Sequence, residues 1–513
     1  MTAPAGTIDA GLGAAGRLLP RHRSAYSPRF AAPATLGFAI AIGLALLIGP
    51  TIVVLGLLAV ALTAAALWRP DVATITFFFV MFANLLAVAT QFHGAPSIAA
   101  GGFVLILGIP LLHHLVISRE PVVVTPAVPL ILCYLLAMIV AAAASSSVTE
   151  AARPIGDFVL EGLLIFLLVI NVVRSASVLR HIIWAIVLAA ALMGSLSLVQ
   201  EAAGAYDNDF GGLAQVTDQG FKVGEDRQGK VLRPRLSGPI GEQNRYAQIL
   251  LVAAPLALFR LKHESDRRLR ALAAGSLGAI LGGILLTFSR GATVAMFGLF
   301  ILLLVRRHIR LRHAVAGLLL ATVAIFVVEP DYAVRLSSLA RIGAFSTDSP
   351  DQQVDGAILG RATSNLAAWE VFVDHPITGV GPERYFREYS QQVGNDQNLR
   401  HFDKNRRAHN LYLETAADLG LLGIGALLGA VGVTALHLGA VQRYWRSRRP
   451  ELAALASSML FALAAYLATG VFLHLAYQRY FWMLLGLANA TAWVLGVERR
   501  NDRRAGAQRA PVR

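Results

Sequence analysis

The chain has 513 residues, 56% of them hydrophobic and only 15% charged. A water-soluble domain carries about a quarter of its residues as Asp, Glu, Lys and Arg, so this composition excludes an ordinary soluble protein and points to one that lives in a bilayer. The net charge of +14 would suit a nucleic-acid binder, but the charge lies in short runs between apolar stretches, which is the positive-inside pattern of a membrane protein.

Residues 1–33 hold four Arg and no apolar core, so they read as a disordered cytoplasmic tail and not as a cleaved signal. Apolar runs of about 17–23 residues, each long enough to cross a bilayer as a helix, then recur to the C-terminus. An N-terminal transmembrane bundle occupies 34–199. It opens with a helical hairpin over 34–68, folded at Gly49-Pro50 and closed by Trp68-Arg69-Pro70-Asp71. Spans near 72–90, 98–117, 122–144, 155–173 and 178–199 follow. A first long periplasmic loop covers 200–244. The central segment 245–328 holds spans near 245–261, 271–288, 291–305 and 313–328. The longest polar loop is 329–408. The C-terminal segment 409–498 holds spans near 411–440, 451–474 and 480–496, and 499–513 forms a basic cytoplasmic tail. The expected fold is an all-α polytopic membrane protein with about 12–14 transmembrane helices, one membrane domain without internal repeat. Cys133 is the only cysteine and lies inside a span, so neither an internal disulfide nor a site of paired thiolates is available.

Charge orients these spans. With the N-terminus inside, the inside loops include Arg260–Arg270 with four Arg and one Lys, Arg306–Arg312 with four Arg, and Arg443–Arg449 with four Arg. The short outside loops hold Arg153, Arg290 and Arg479 as exceptions. Both termini are then cytoplasmic and both long loops face outward.

The polar residues at the outer surface carry the candidate chemistry. His409 and Asn410 stand where loop gives way to helix. Asn is a good N-cap, Glu414 falls in the first turn where a negative charge suits the helix dipole, and Gly420 and Gly423 have the spacing of close helix packing in lipid. A His beside a helix N-terminus at the membrane surface is placed to meet a phosphate-bearing substrate, although the same pattern also describes a plain loop-to-helix junction. Arg290 follows Ser289 in a very short turn. It is either a snorkelling anchor or a functional cation level with the two loops. Arg361 sits beside a helical periodicity over Thr363–Phe372 and would, alone, be a surface arginine. The segment 222–245 is basic, with Glu225, Asp226 and Glu242 interleaved, and contains Arg235 and Asn244. Asp207-Asn208-Asp209 has the form of a metal-binding acid pair but lies in a Gly- and Asp-rich loop, which predicts a turn and no metal. Asp157 and Glu161, four apart in one span, share a helix face and are candidates to line a cavity mouth or pair with Arg153. Gly379-Val380-Gly381-Pro382 before Glu383 predicts a tight loop.

Three stretches together resemble a known family. They are His409-Asn410, nine residues, Gly420, two residues, Gly423; Leu286-Thr287-Phe288-Ser289-Arg290-Gly291; and Gly360-Arg361 running through Trp369 to His375-Pro376-Ile377-Thr378-Gly379-Val380-Gly381. In this order they resemble the O-antigen ligase family, which also includes polysaccharide polymerases and protein O-oligosaccharyltransferases. The resemblance covers roughly residues 230–430. It implies a C-type glycosyltransferase-like fold with the long periplasmic loop over an outer cavity, in the bacterial inner membrane. It implies that Ser289-Arg290 binds the pyrophosphate of a polyprenyl (undecaprenyl) pyrophosphate-linked glycan donor, and that Arg361 adds a second phosphate contact. Arg235-Leu236-Ser237-Gly238 through Gln243-Asn244-Arg245 is similar to the family's Arg-x-x-Gly … Asn stretch, which makes Arg235 and Asn244 substrate contacts along with Asn410 and Glu414. His409 would be the base of an inverting transfer without metal or cofactor. The acceptor would be lipid A core in a ligase or a second glycan in a polymerase. Arg227, eleven residues before Gly238, matches a spacing of polymerase loops. A transporter or flippase of lipid-linked glycan is the rival class, but its polar residues would gather near the midplane.

Overall fold

The structure, a computed structural model, describes residues 69–96, 102–226, 229–312, 356–386, 407–475 and 478–508. The N-terminal tail, the hairpin expected over 34–68, the span near 313–328 and Arg227 lie outside the described residues. Within a bilayer the backbone must satisfy its own hydrogen bonds, and helices account for most of what is described. The elements are α1 (Pro70–Phe82), α2 (Leu85–Phe92), an irregular helix α3 (Phe103–Ile117), α4 (Ala127–Ala144), α5 (Val148–Val172), α6 (Ala176–Ala202), strands β1 (Gln215–Asp226) and β2 (Gly229–Gly238), α7 (Gln243–His263), α8 (Arg267–Leu286), α9 (Arg290–Val305), α10 (Gly356–Asp374), α11 (Leu411–Trp445), α12 (Pro450–Gly470) and α13 (Gln478–Gln508). Among the described residues seven helices are long and apolar enough to span, or eight if α1 and α2 form one span bent by 59°. The bend falls at Asn84, a left-handed residue with φ 56°.

The central helix α7 does not meet a span's composition, because it carries Arg245, Gln248, Arg260 and Lys262. Yet 16 of its 21 residues are buried, and it packs against α6, α8 and α12. Its polar residues are tolerated because protein, not lipid, surrounds them. Small residues let its neighbours approach: a Cβ on Gly194 of α6 would sit 2.3 Å from the Ala279 carbonyl oxygen of α8, the packing that small residues permit between membrane helices.

Four expectations change. The first long loop is not wholly irregular, since β1 and β2 form an antiparallel hairpin with bulges, pairing Val216 with Leu236 and Thr217 with Arg235. The hairpin is anchored where Gln200 Nε2 donates to the Ala214 carbonyl at 2.6 Å and Thr217 Oγ1 donates to Gln243 Oε1 at 2.8 Å. The span expected over 155–173 begins at Val148 and contains a π-helical segment, Phe158–Leu163. That segment interrupts the regular spacing between Asp157 and Glu161. Both side chains are exposed, and among the described residues neither forms an ion pair with Arg153. The basic tail from 499 continues α13 as helix to Gln508. Finally, Gly420 does not serve close packing between helices. It breaks α11, as described next.

Candidate active site

The starts of α7, α9 and α11 meet the ends of α8 and α12 at one end of the bundle. Each of the three is capped by the residue before it: Glu242 accepts from the Asn244 and Arg245 amides, Ser289 from Ala292, and Asn410 from Tyr412 and Leu413 at 3.0 and 3.2 Å. Helix N-termini carry partial positive charge and unsatisfied N–H groups, which suits an anion.

Between α7 and α9 the side chains form a hydrogen-bonded chain. Ser289 Oγ donates to Asn244 Oδ1 at 2.8 Å, and Arg235 Nη2 donates to the same oxygen at 3.3 Å. Arg235 Nε also donates to the Thr287 carbonyl at 3.0 Å, and Asn244 Nδ2 to Glu242 Oε1 at 2.8 Å. The turn fits into three residues because Phe288 takes a left-handed conformation, φ 50°. Arg290 begins α9 and is 9% exposed, and Arg235 is 6% exposed. This degree of burial is not that of a snorkelling side chain. Asn244, Ser289, Gly291 and Arg361 line one small cavity with Thr469 and Phe472 of the α12 end. Arg361 reaches it from α10, which is held by a small second core of Ala367, Ala368, Val371, Val380, Tyr385, Ala408 and Ala417.

That second core depends on the break in α11. Gly420 has φ 61° and ψ −162°, a region open essentially to glycine alone. The break frees backbone groups on both sides, and the loop 376–381 takes them up. Val380 N donates to Ala417 O at 3.1 Å, Gly381 N to Asp418 O at 2.9 Å, and Leu421 N to Pro376 O at 2.8 Å. The Asp418 carboxylate accepts from the Glu383 and Tyr385 amides at 3.2 and 2.8 Å. Tyr385 Oη then donates to the Ser364 carbonyl of α10 at 2.6 Å. The loop carrying Gly379 to Glu383 is thus stitched to the signature helix, and α10 to the loop.

His409 precedes the cap, half-buried and left-handed at φ 51°. Its ring meets the edge of His474 with centroids 5.5 Å apart. His474 lies between α12 and α13, and its carbonyl accepts from Arg245 Nη2 at 2.7 Å. Burial first, then Arg245, Arg407 and His409, pushes its imidazole down to about 2, so it stays neutral. Beside this pair, Glu414 accepts from the Ala408 amide at 3.1 Å and from Arg407 at 3.3 Å, while Arg407 also pairs with Glu383 at 3.1 Å. Burial opposes the Arg407 charge, but Glu414 and Glu383 outweigh it and hold the guanidinium protonated. Glu383, Arg407, Glu414 and Asp418 line a second cavity with Tyr134 and Pro154.

The residues expected from sequence therefore fall into two adjoining groups. Arg235, Asn244, Ser289 and Arg361 come together, with Arg290 at the start of α9. His409, Asn410 and Glu414 share the start of α11. Asn410 uses its oxygen as a cap and Glu414 uses its carboxylate on Arg407 and Ala408, which makes both supports of the turn that presents His409. Sequence reasoning missed His474, which falls inside the apolar run read as a span, and Arg407, whose only signal was its place two residues before His409. Asp207-Asn208-Asp209 is a turn, with Asn208 and Asp209 side chains accepting from the Phe210 and Gly211 amides at 2.9 Å each. Among the described residues no group of three or more His, Cys, Asp or Glu side chains is arranged to hold a metal.

Residues 275–428 match the family model described as O-Antigen ligase. That interval contains Ser289-Arg290, Arg361, the 376–381 loop, His409-Asn410 and Gly420, while Arg235 and Asn244 precede it. No curated protein matches the chain.

Proposed function

We propose, from the match of residues 275–428 to the O-antigen ligase family model and from the long apolar helices, that this polytopic membrane protein is an enzyme of the ligase or polymerase type that transfers a glycan from a polyprenyl pyrophosphate to a sugar hydroxyl. The acceptor hydroxyl attacks the anomeric carbon, the bond from that carbon to the pyrophosphate oxygen breaks, and the anomeric centre inverts. His409 takes the hydroxyl proton. The departing pyrophosphate keeps the electron pair, and Arg290 and Arg361 neutralise it, so that the role usual for a metal falls to guanidinium groups. The acceptor is lipid A core or a second lipid-linked glycan.

The observation that carries this reading is the shared cavity: Asn244, Ser289 and Arg361, from three separate elements, line it beside the buried Arg235 and the first residue of α9, Arg290. Excess positive charge in partly buried surroundings at helix N-termini suits a phosphate. Support for an outer-face site comes from the opposite end of the bundle, where Arg260, Lys262, Arg306, Arg307, Arg443, Arg446 and Arg449 collect. By the positive-inside rule that end is cytoplasmic and the candidate site periplasmic, in the bacterial inner membrane.

The test is substitution of Arg290. Arg290→Ala should abolish transfer and Arg290→Lys should restore little, because an ammonium cannot reproduce a two-point contact with phosphate oxygens. Lysine working as well as arginine would reduce Arg290 to an anchor. Transfer should also survive a strong chelator.

A further inference from the structure

A cavity larger than either of the two at the candidate site lies elsewhere. It lies at the opposite end of the bundle, between the start of α4, the last turns of α11 and α13, and holds about 440 Å³. That is within the range of about 300–1,000 Å³ typical of small-molecule sites. Its chemistry is divided by height. The deeper wall is mostly apolar, from Ala440 and Val441 of α11 and Ala492 and Trp493 of α13, with His437 and Asn489 as its polar members, and Asn489 Nδ2 donates to Thr434 Oγ1 at 2.8 Å. The mouth carries Arg499, Arg500 and Arg503. These arginines are spaced to share one face of α13.

Three observations decide what could enter. First, the cavity has no carboxylate in its lining, and among the described residues none pairs with Arg499, Arg500 or Arg503. The nearby acids are engaged elsewhere: Asp502 accepts from Tyr444 Oη at 2.7 Å, and Glu498 pairs with Arg449 at 3.6 Å. Arg499 and Arg503 lie over the Tyr444 ring at 5.2 and 5.3 Å, which holds them in place without neutralising them. Arg174, paired with Glu120 at 3.7 Å, sits 5.5 Å from the Trp493 ring. Secondly, Thr125 is 4% exposed and lines the cavity, and its hydroxyl has no hydrogen-bond partner. Thirdly, an apolar side chain of the lining is open, with Val124 68% exposed. In a membrane protein such surface faces acyl chains.

From the arginine-rimmed mouth over a mostly apolar, lipid-edged cavity we propose a binding site for an anionic phospholipid of the adjoining leaflet. The phosphate group sits under Arg499, Arg500 and Arg503, with the Thr125 hydroxyl able to donate to an ester oxygen, and an acyl chain lies along Val124 and Ala440. Basic pockets between membrane helices take anionic head groups in this way. The bound lipid would tie α4, α11 and α13 together at the end remote from the glycan site. The proposal depends neither on the glycan chemistry nor on which leaflet adjoins this end.

The purified protein in zwitterionic detergent is titrated with phosphatidylglycerol, with phosphatidylcholine and with inorganic phosphate, following bound lipid by native mass spectrometry and the thermal midpoint. Phosphatidylglycerol should be retained and raise the midpoint, and the other two should not. Replacing Arg499, Arg500 and Arg503 by Ala should weaken phosphatidylglycerol binding roughly a hundred-fold, the product of three arginines worth about fivefold each. Ala440→Trp, which fills the cavity and leaves the charges, should also lose the bound lipid, and it keeps the test decisive if the triple variant fails to fold. Equal retention by the wild type and Ala440→Trp would overturn the site. Equal stabilisation by inorganic phosphate would overturn the lipid as its occupant.

Discussion

Gly420→Ala tests how the long loop is fastened to the signature helix. The new Cβ would lie 2.2 Å from the Ile377 carbonyl oxygen, too close for any real contact, and the backbone conformation alone costs about 1–3 kcal/mol for a residue other than glycine. If α11 straightens to relieve this, the Ala417 and Asp418 carbonyls return to the helix, and the Val380 and Gly381 amides lose their acceptors. The straightened helix is free of the strain but costs two hydrogen bonds at about 1 kcal/mol each, a loss of the same order as the strain itself. Docking of the loop should thus weaken by roughly 2 kcal/mol, which corresponds to an about thirty-fold larger open population. Amide hydrogen exchange at Val380, Gly381 and Tyr385 reads this directly and should accelerate by that factor, while amides in α7 are unchanged. Gly425→Ala is the control, since a Cβ there meets nothing within 4 Å. Unchanged exchange at Val380 and Gly381 in Gly420→Ala would refute the fastening.

Orientation is checked in a Cys133→Ser background. Asp207→Cys should react with a membrane-impermeant thiol reagent from outside and Ser265→Cys should not, whereas labelling of Ser265→Cys alone would reverse the orientation. His474 supplies a pH dependence. Its folded pKa, about 2, is below the ordinary 6.5, so the unfolded chain takes up the proton first. Stability is full above about pH 6.5 and falls below it, by up to about 2.7 kcal/mol over two pH units. His474→Phe should flatten this fall between pH 6.5 and 4.5, and an identical fall in both proteins would contradict a neutral, buried imidazole.

Much of the architecture follows from hydrophobic run length, because a bilayer imposes one length on every span. Helices near 122–144, 178–199, 271–288 and 451–474 were legible for that reason. The helix α7 was legible as a run, although its composition alone would not pass for a span: Arg245, Gln248 and Arg260 are shielded by neighbouring helices, a tertiary fact that no local pattern records. The hairpin was missed because bulges after Thr217 and Lys222 break the alternation that marks a strand. At the site, Asn410 as a cap and the α10 periodicity around Arg361 were readable from local chemistry. The role of Gly420 was not, since its spacing to Gly423 fits helix packing equally well and only the opposing 376–381 loop distinguishes the two. His474 shows the same limit: one histidine in an apolar run reads as part of a span until the fold sets its ring against His409.

The central claim, transfer of a glycan by His409 from a donor held at the arginine cavity, is tested most directly with purified protein in liposomes and lipid-linked donor extracted from the producing cells. The wild type should form the glycan–acceptor product without moving donor across the bilayer. His409→Gln should bind donor as the wild type does yet transfer roughly a hundred- to ten-thousand-fold more slowly, the usual cost of losing a positioned base. Near-wild-type transfer by His409→Gln would contradict the base, and donor translocation without product in the wild type would contradict the enzyme.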